Sequence, residues 1–336
     1  MDPNSPAAEG NNAGKRSRIP ASRRARIGTL LAVAAVVGIA VGVAAASARS
    51  GGSATPSNTA ASCPRLTGAP PLVVRLPGPP LRRGAPVAAI AAAAAARLPA
   101  GDLRVRVAAL VAAYPTAGGA ATVAALRRLP QTPPVVVTNL GLADLWSCRV
   151  RAAVSNLERA KRLDPYGFYG TAADNALHLG DIRGYPMFVP PRRLPARTLA
   201  QLRAAVAARP RSVGAMMALA AGLQYGDRPA AITAVRRAAA LTPTAVSPQV
   251  AVAVLTFDKD NPQATIAALQ QLAGADPNNA EVSFHLGLVE LWVGRTQDAQ
   301  AQFAQIVHAD PNGYYTRFAE EFQRSLSQAG GAGGSG

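Results

Sequence analysis

A proline that ends a helix recurs at a fixed interval in the C-terminal half of the chain. It stands at Pro243, Pro277 and Pro311, each 34 residues after the one before, and each follows a run of helix-forming residues. Proline has no backbone N–H and its ring clashes with the preceding turn, so it ends a helix. A regular interval of this length is typical of a small repeated unit that cannot bury its apolar face alone. The chain is therefore predicted to fold as a stack of such units.

The last of these units has a close copy upstream that begins at Pro134. The two copies share ten identities in one gapless register, and the chain's only two tryptophans, Trp146 and Trp292, fall at the same place in each. Small residues at Gly287 and Ala299 allow two helix backbones to approach each other closely. Each unit is therefore predicted to be a pair of short antiparallel helices.

The spacing of small and large residues in these units resembles the tetratricopeptide repeat (TPR). Counted from Ala280, the last unit has the small and large residues of that repeat at the expected positions, except the eleventh, where Glu290 replaces the usual aromatic residue or Leu. The resemblance implies an all-α fold, a TPR-like α-α superhelix of stacked helical hairpins. It also implies a non-enzymatic scaffold that binds other proteins. The Arg-rich, Ala-rich composition is typical of a bacterial, high-GC coding sequence.

The resemblance further implies that defined positions of each first helix line the concave face of the superhelix. These positions give seven residues that are predicted to bind an extended peptide or an amphipathic helix. They are Asn139, Leu142 and Trp146 in the upstream copy, and Phe284, His285, Leu288 and Trp292 in the last unit. The alternative for both tryptophans is packing against the next repeat.

The N-terminal part of the chain has the pattern of a membrane anchor. Residues 1–26 are polar and end in a basic run, which predicts a disordered cytoplasmic tail. Residues 27–48 begin with twenty uncharged residues, enough for one transmembrane helix across a hydrocarbon core of about 30 Å. The basic flank predicts a single-pass protein of the cell membrane with a cytoplasmic N-terminus and an extracytoplasmic repeat domain. A cleaved secretory signal is the alternative for this segment.

Three further segments complete the predicted organisation. Residues 49–86 are rich in Pro, Gly and Ser and are expected to form a linker, flexible at first and then extended. Residues 87–328 form the TPR-like domain, interrupted by a loop at 168–197 that is predicted to begin with a short helix and continue as a Pro-rich crossing segment. Residues 329–336 are a flexible Gly-rich tail.

The net charge of +17 is concentrated in the middle of the chain. Residues 64–212 carry 21 basic and six acidic side chains, whereas residues 213–336 carry seven and ten. The coding bias alone accounts for many arginines. The alternative function is a cell-envelope structural protein that binds anionic polymer or lipid surfaces through this Arg-rich middle. No nucleic-acid partner is expected.

Motifs for catalysis and cofactor binding are missing from the sequence. The three histidines, His178, His285 and His308, have no Cys, Asp or Glu at metal-ligand spacing, and nothing matches a phosphate loop or a nucleophile elbow. We therefore predict no enzyme activity, no catalytic or metal-binding residue and no cofactor. The two cysteines, Cys63 and Cys148, either form a disulfide or remain two unpaired thiols, and the sequence leaves both open.

Overall fold

A computed structural model of the chain describes residues 68–82, 84–178 and 181–332. Fifteen α-helices follow one another in these ranges, with no strand among them. They are α1 (Val87–Arg97), α2 (Leu103–Ala112), α3 (Tyr114–Ala117), α4 (Gly119–Arg127), α5 (Pro134–Trp146), α6 (Val150–Leu163), α7 (Phe168–Leu177), α8 (Leu199–Ala208), α9 (Val213–Leu223), α10 (Arg228–Leu241), α11 (Val246–Leu255), α12 (Pro262–Ala275), α13 (Ala280–Trp292), α14 (Thr296–Ala309) and α15 (Thr316–Ala332). The predicted all-α fold is confirmed for this part of the chain.

Neighbouring helices pack as hairpins, and each hairpin packs against the next. The pairs α5–α6, α9–α10 and α13–α14 form the most extensive contacts, and α10–α11, α12–α13 and α14–α15 join successive hairpins. A Cβ atom added at Gly141 would lie 2.8 Å from Cγ of Leu157, and one at Gly287 would lie 2.9 Å from Cε1 of Phe303. Only glycine allows the two helices of these hairpins to come so close, as the repeat pattern predicts.

The turns within the two similar hairpins use the left-handed backbone region. Gly294 connects α13 to α14 with φ +78°, a conformation that glycine adopts without strain. The equivalent turn between α5 and α6 places Cys148 at φ 59°, which is unusual for a residue with a side chain. Cys148 is disulfide-bonded. The sequence's other cysteine, Cys63, lies outside the described residues.

The buried residues form two larger cores and two smaller clusters. The first core joins α1–α5 through Val107, Leu126 and Leu140, and the second runs from Phe188 through α9–α13 to Val289. A smaller aromatic cluster, which includes Phe284, Phe303, Tyr315 and Phe322, seals α15 against α13 and α14, and another lies under α6 and α7. Each hairpin therefore relies on its neighbours for burial, as in other helical repeats.

The predicted segments differ from the structure at two places, and two predicted segments lie outside it. Residues 70–76, within the expected linker 49–86, pack against the helices, because Leu72 and Val74 are apolar and buried there. The short helix expected at the start of the loop 168–197 is α7. Helix α15 continues to Ala332, past the predicted domain end at residue 328. No helix in the described ranges is long and apolar enough to cross a membrane. The predicted tail 1–26 and transmembrane segment 27–48 lie outside those ranges.

Candidate functional site

Helix α5 binds an extended stretch of this same chain through Asn139, one of the residues predicted for the concave face. We call residues 70–76 the first docked segment. The side chain of Asn139 accepts a hydrogen bond from the backbone N–H of Val73 at 2.9 Å and donates one to the backbone carbonyl of Val73 at 2.7 Å. Asn139 is almost fully buried. Its amide therefore pairs with a peptide backbone in the same way as a neighbouring strand would.

Side chains of the first docked segment alternate between two sides of the extended backbone. Leu72 and Val74 enter the core formed by α1–α5, while Val73 packs against the cluster of Leu142 and Leu157. The backbone N–H of Arg75 donates to Tyr169 Oη at 3.3 Å, and the Arg75 guanidinium donates to the Gly226 carbonyl at 2.9 Å. Both the backbone and the side chains of the segment are thus recognised.

A second extended segment packs against α9, α13 and the residues before α15 in the C-terminal half. We call residues 186–190 the second docked segment. Gln224 accepts from the N–H of Phe188 at 2.9 Å and donates to its carbonyl at 2.9 Å. His285 Nε2 accepts from the N–H of Val189 at 2.9 Å, and Tyr315 Oη donates to the carbonyl of Val189 at 2.9 Å. Two consecutive residues therefore have both backbone groups paired with side chains.

The hydrogen bonds of His285 define its protonation. Its Nε2 faces a backbone donor, Val189 N–H, so this nitrogen must be an acceptor. Its Nδ1 lies 2.7 Å from the carbonyl of Glu281 and therefore carries the proton. Burial lowers the pKa of His285 to about 4. Phe188 stacks on the imidazole at 5.3 Å between ring centroids, so the neutral ring is also part of the apolar packing.

The seven residues predicted for the concave face divide into buried and partly exposed side chains. Five are buried, and they contact a docked segment or share a cluster with one: Asn139, Leu142, Phe284, His285 and Leu288. The two tryptophans are partly exposed, and Trp292 packs near Phe257 at 6.5 Å between ring centroids. The sequence did not identify Gln224 or Tyr315, because their partners are backbone groups far away along the chain.

An open cavity of about 840 Å³ lies between the two halves of the solenoid. Lys161 of α6 projects into it and pairs with Asp174 Oδ1 at 2.9 Å, with Asp258 Oδ1 at 2.8 Å and with Asp260. His178 Nε2 lies 2.9 Å from Asp260 Oδ1. Burial disfavours the charged form of Lys161, but its hydrogen bonds to the three carboxylates outweigh burial and raise its pKa. This network joins α6 and α7 to the turn between α11 and α12.

The same cluster has the residue types of a metal site. Asp174, His178 and Asp260 can each offer one ligand atom, all within 4.8 Å of one another. The Lys161 ammonium, however, pairs with both of these carboxylates and supplies the positive charge that the buried Asp174 requires. We therefore interpret the cluster as an ion-pair network between the two halves of the molecule.

Arg228 is a buried cation beside this network. Its guanidinium lies 3.6 Å from the centroid of the Tyr185 ring and 5.4 Å from that of Tyr166, and its Nε donates to the Leu255 carbonyl at 2.8 Å. Among the described residues neither Nη atom has a hydrogen-bond acceptor. Burial lowers the pKa of Arg228 to about 10, so the group remains charged at neutral pH. The aromatic faces replace part of its hydration.

Comparisons with known proteins agree with the repeat architecture in one part of the chain. Residues 257–319 match the family model described as tetratricopeptide repeat, which supports the TPR assignment for that stretch. No curated protein matches the sequence significantly.

Several solved structures, two of them described as TPR proteins, show a weak overall similarity to this chain. MamA is 18% identical over 40% of this chain and 87% of that chain, with a TM-score of 0.28. A thermophilic TPR protein of Thermus thermophilus is 18% identical over 59% and 98%, with a TM-score of 0.33. YrrB, described as a TPR protein with an unusual peptide-binding site, is 11% identical over 57% and 93%, with a TM-score of 0.29.

Proposed function

We propose that this protein is a non-enzymatic interaction scaffold that binds extended peptide segments on its concave helices. The observation that carries the proposal is the pairing of the Asn139 amide with both backbone groups of Val73. The same chemistry recurs at Gln224, which pairs with both backbone groups of Phe188. Every residue except proline has these two backbone groups, so the contacts select a backbone conformation more than a sequence.

The side chains of Asn139 and Gln224, which we call the clamps, favour an extended peptide over an amphipathic helix as the ligand. In a helix the backbone N–H and C=O groups are already paired internally, so a helix offers nothing to the side chain of Asn139. An extended chain leaves both groups of a residue free and places successive side chains on opposite sides. The pockets around Leu72 and Val74 on one side and Val73 on the other are apolar. The ligand class is therefore an extended segment with small or medium-sized apolar side chains.

A partner peptide reaches the α5 site by replacing the first docked segment. Pro71 and Arg75 of the first docked segment are exposed, whereas no residue of the second docked segment is exposed. The first docked segment is thus the less deeply buried of the two, and its exchange disturbs less of the core. Binding of a partner at Asn139 is then a competition between two extended segments.

A peptide-exchange experiment tests this proposal. Val73→Pro removes the N–H that Asn139 accepts and should weaken docking of the chain's own segment by about tenfold. A labelled synthetic peptide with the sequence of residues 69–76 should then bind the full chain, as measured by fluorescence anisotropy. The control variant Val73→Ala keeps the N–H and should bind the peptide clearly less well than Val73→Pro. No binding to a correctly folded Val73→Pro variant would overturn the proposal.

We also propose that the scaffold is held at the cell membrane by residues 27–48, with the repeat domain on the extracytoplasmic side. The support is the uncharged stretch and its basic N-terminal flank in the sequence. Immunoblotting of fractionated cells after a carbonate wash tests the anchor. The protein should remain with the membranes, and its release into the soluble fraction would contradict the anchor without affecting the peptide-binding proposal.

A further inference from the structure

One continuous stretch of the chain carries many arginines and no acidic residue. Between Ile182 and Gly226 there is no Asp or Glu. The stretch includes seven arginines, all of them exposed: Arg183, Arg192, Arg193, Arg197, Arg203, Arg209 and Arg211. In contrast, Arg104 and Arg149 elsewhere in the structure pair with Asp102 and Asp144. The basic excess of the chain is therefore concentrated in this stretch, where no carboxylate compensates it.

Four of these arginines surround one cleft of about 300 Å³, which we call the arginine cleft. Arg192, Arg193 and Arg197 come from the loop before α8, and Arg209 comes from the end of α8. Among the described residues, none of the four guanidinium groups has a hydrogen-bond acceptor or a carboxylate partner. Like charges at close range repel one another, so an anion in the cleft would relieve that repulsion.

The first turn of α9 adds to the positive character of the arginine cleft. Ser212 and Gly214 line the cleft, and α9 begins between them at Val213. The Ser212 hydroxyl accepts a hydrogen bond from the N–H of Ala215, which satisfies one donor of that turn. The remaining N–H groups at a helix start attract negative charge. Arginine forks and helix N-termini are both groups that recognise phosphate oxygens.

We infer that the arginine cleft binds the phosphodiester headgroup of anionic membrane lipids. The loop that supplies the arginines has the sequence PPRRLP, in which Pro191 and Pro195 are exposed and Leu194 is partly exposed. Apolar side chains next to arginines suit the boundary between headgroups and acyl chains. A soluble phosphate would gain nothing from these apolar groups. The lipid source is therefore favoured over free phosphate.

The position of the arginine cleft in the chain is compatible with a membrane partner. The first described residue, Gly68, is 22 residues beyond Ala46, the end of the uncharged stretch. A fully extended chain of this length reaches at most about 80 Å, so the folded part can return to the bilayer surface. This step rests on the proposed membrane placement. The chemistry of the cleft itself does not require the anchor.

A titration of the full chain in neutral detergent tests the inference without a bilayer. Isothermal titration calorimetry compares dihexanoyl phosphatidylglycerol, dihexanoyl phosphatidylcholine and inorganic phosphate. We expect the anionic lipid to bind, the zwitterionic lipid to bind much more weakly, and binding to weaken between about 50 mM and about 500 mM salt. The test variant combines Arg192→Gln, Arg193→Gln and Arg197→Gln. It should bind the anionic lipid about tenfold more weakly than the unmodified chain.

A matched control variant removes the same charge from exposed arginines outside the arginine cleft. It combines Arg106→Gln, Arg128→Gln and Arg151→Gln, and it should bind the anionic lipid within about twofold of the unmodified chain. Equal weakening in both variants, or no weakening in either, would overturn the inference. Inorganic phosphate that binds as tightly as the lipid would show a free anion to be the ligand, which also overturns it. Retention of helical circular dichroism in both variants shows that they are folded.

Discussion

Replacing Asn139 with Ala removes a single side chain that holds the first docked segment to α5. The wild-type amide makes two hydrogen bonds to Val73, at 2.9 Å and 2.7 Å, and a third to the Val135 carbonyl at 2.7 Å. The third bond is internal to α5, where Val135 also accepts in the regular helical pattern. The hydrogen bonds that matter in Asn139→Ala are therefore those between α5 and the first docked segment.

The free-energy cost of Asn139→Ala follows from the two hydrogen bonds to Val73. A net contribution of about 1 kcal/mol for each gives about 2 kcal/mol, and the backbone groups left without a partner keep the cost from being smaller. This free energy corresponds to about a 30-fold increase in the population in which the segment is detached. Ala favours the helix slightly more than Asn, so the helix itself should not be weakened.

Limited digestion with trypsin measures this population, since Arg75 lies within the first docked segment. When opening is fast relative to cleavage, the rate of cutting after Arg75 follows the detached fraction. Asn139→Ala should raise that rate about 30-fold. The control Asn156→Ala removes a side-chain hydrogen bond to Asp144 instead, away from the segment, and should leave the rate unchanged. If both variants are cut after Arg75 at the wild-type rate, the clamp does not hold the segment.

Three further predictions concern packing, pH and the cysteines. Gly287→Ala should lower the free energy of unfolding in urea by about 1–3 kcal/mol, whereas Gly214→Ala, where a Cβ meets nothing within 4 Å, should not lower it. His285 has a folded pKa of about 4, below its ordinary value of 6.5, so it binds fewer protons when folded. The contribution of His285 to the free energy of unfolding is therefore full above pH 6.5, and about 3 kcal/mol of it is lost as the pH falls towards 4. Urea unfolding of His285→Gln should show a smaller loss of stability over this pH range. Because Cys148 is disulfide-bonded, thiol titration of denatured, unreduced protein should find no free thiol, and two would contradict the bond.

The helical hairpins could be predicted because their determinants are close together in the sequence. Gly141 and Leu157 belong to one hairpin, and Gly287 and Phe303 occupy the same positions in its copy. Such contacts repeat with the unit, so the spacing of small and large residues is enough to identify them. The same repeat positions identified Asn139 on α5 and His285 on α13, which contact the docked segments, while binding of a partner by these residues stays a prediction.

The docked segments could not be predicted because their contacts are distant and involve the backbone. The bond from Asn139 to Val73 spans 66 residues, and that from Tyr315 to Val189 spans 126. A Pro-rich composition indicates an extended chain but not its place of contact. One available signal was Asn139 itself, since a polar amide inside an apolar helix needs a partner. That signal indicates that a partner exists, and the identity of the partner depends on the tertiary fold.

The burial of Asn139 and His285 limits how a partner can bind. Asn139 and His285 are 1% and 0% exposed, and both use hydrogen bonds to an extended backbone. Removal of that backbone without replacement would leave buried polar groups unpaired, at a cost of about 1–3 kcal/mol each. Under the proposed function, partner binding is therefore an exchange of one extended segment for another, and its affinity is a difference between the two. A change in the first docked segment that weakens its docking, such as Val73→Pro, should then strengthen partner binding. A change at Asn139 instead weakens binding of both the chain's own segment and the partner, and should leave the competition between them nearly unaltered.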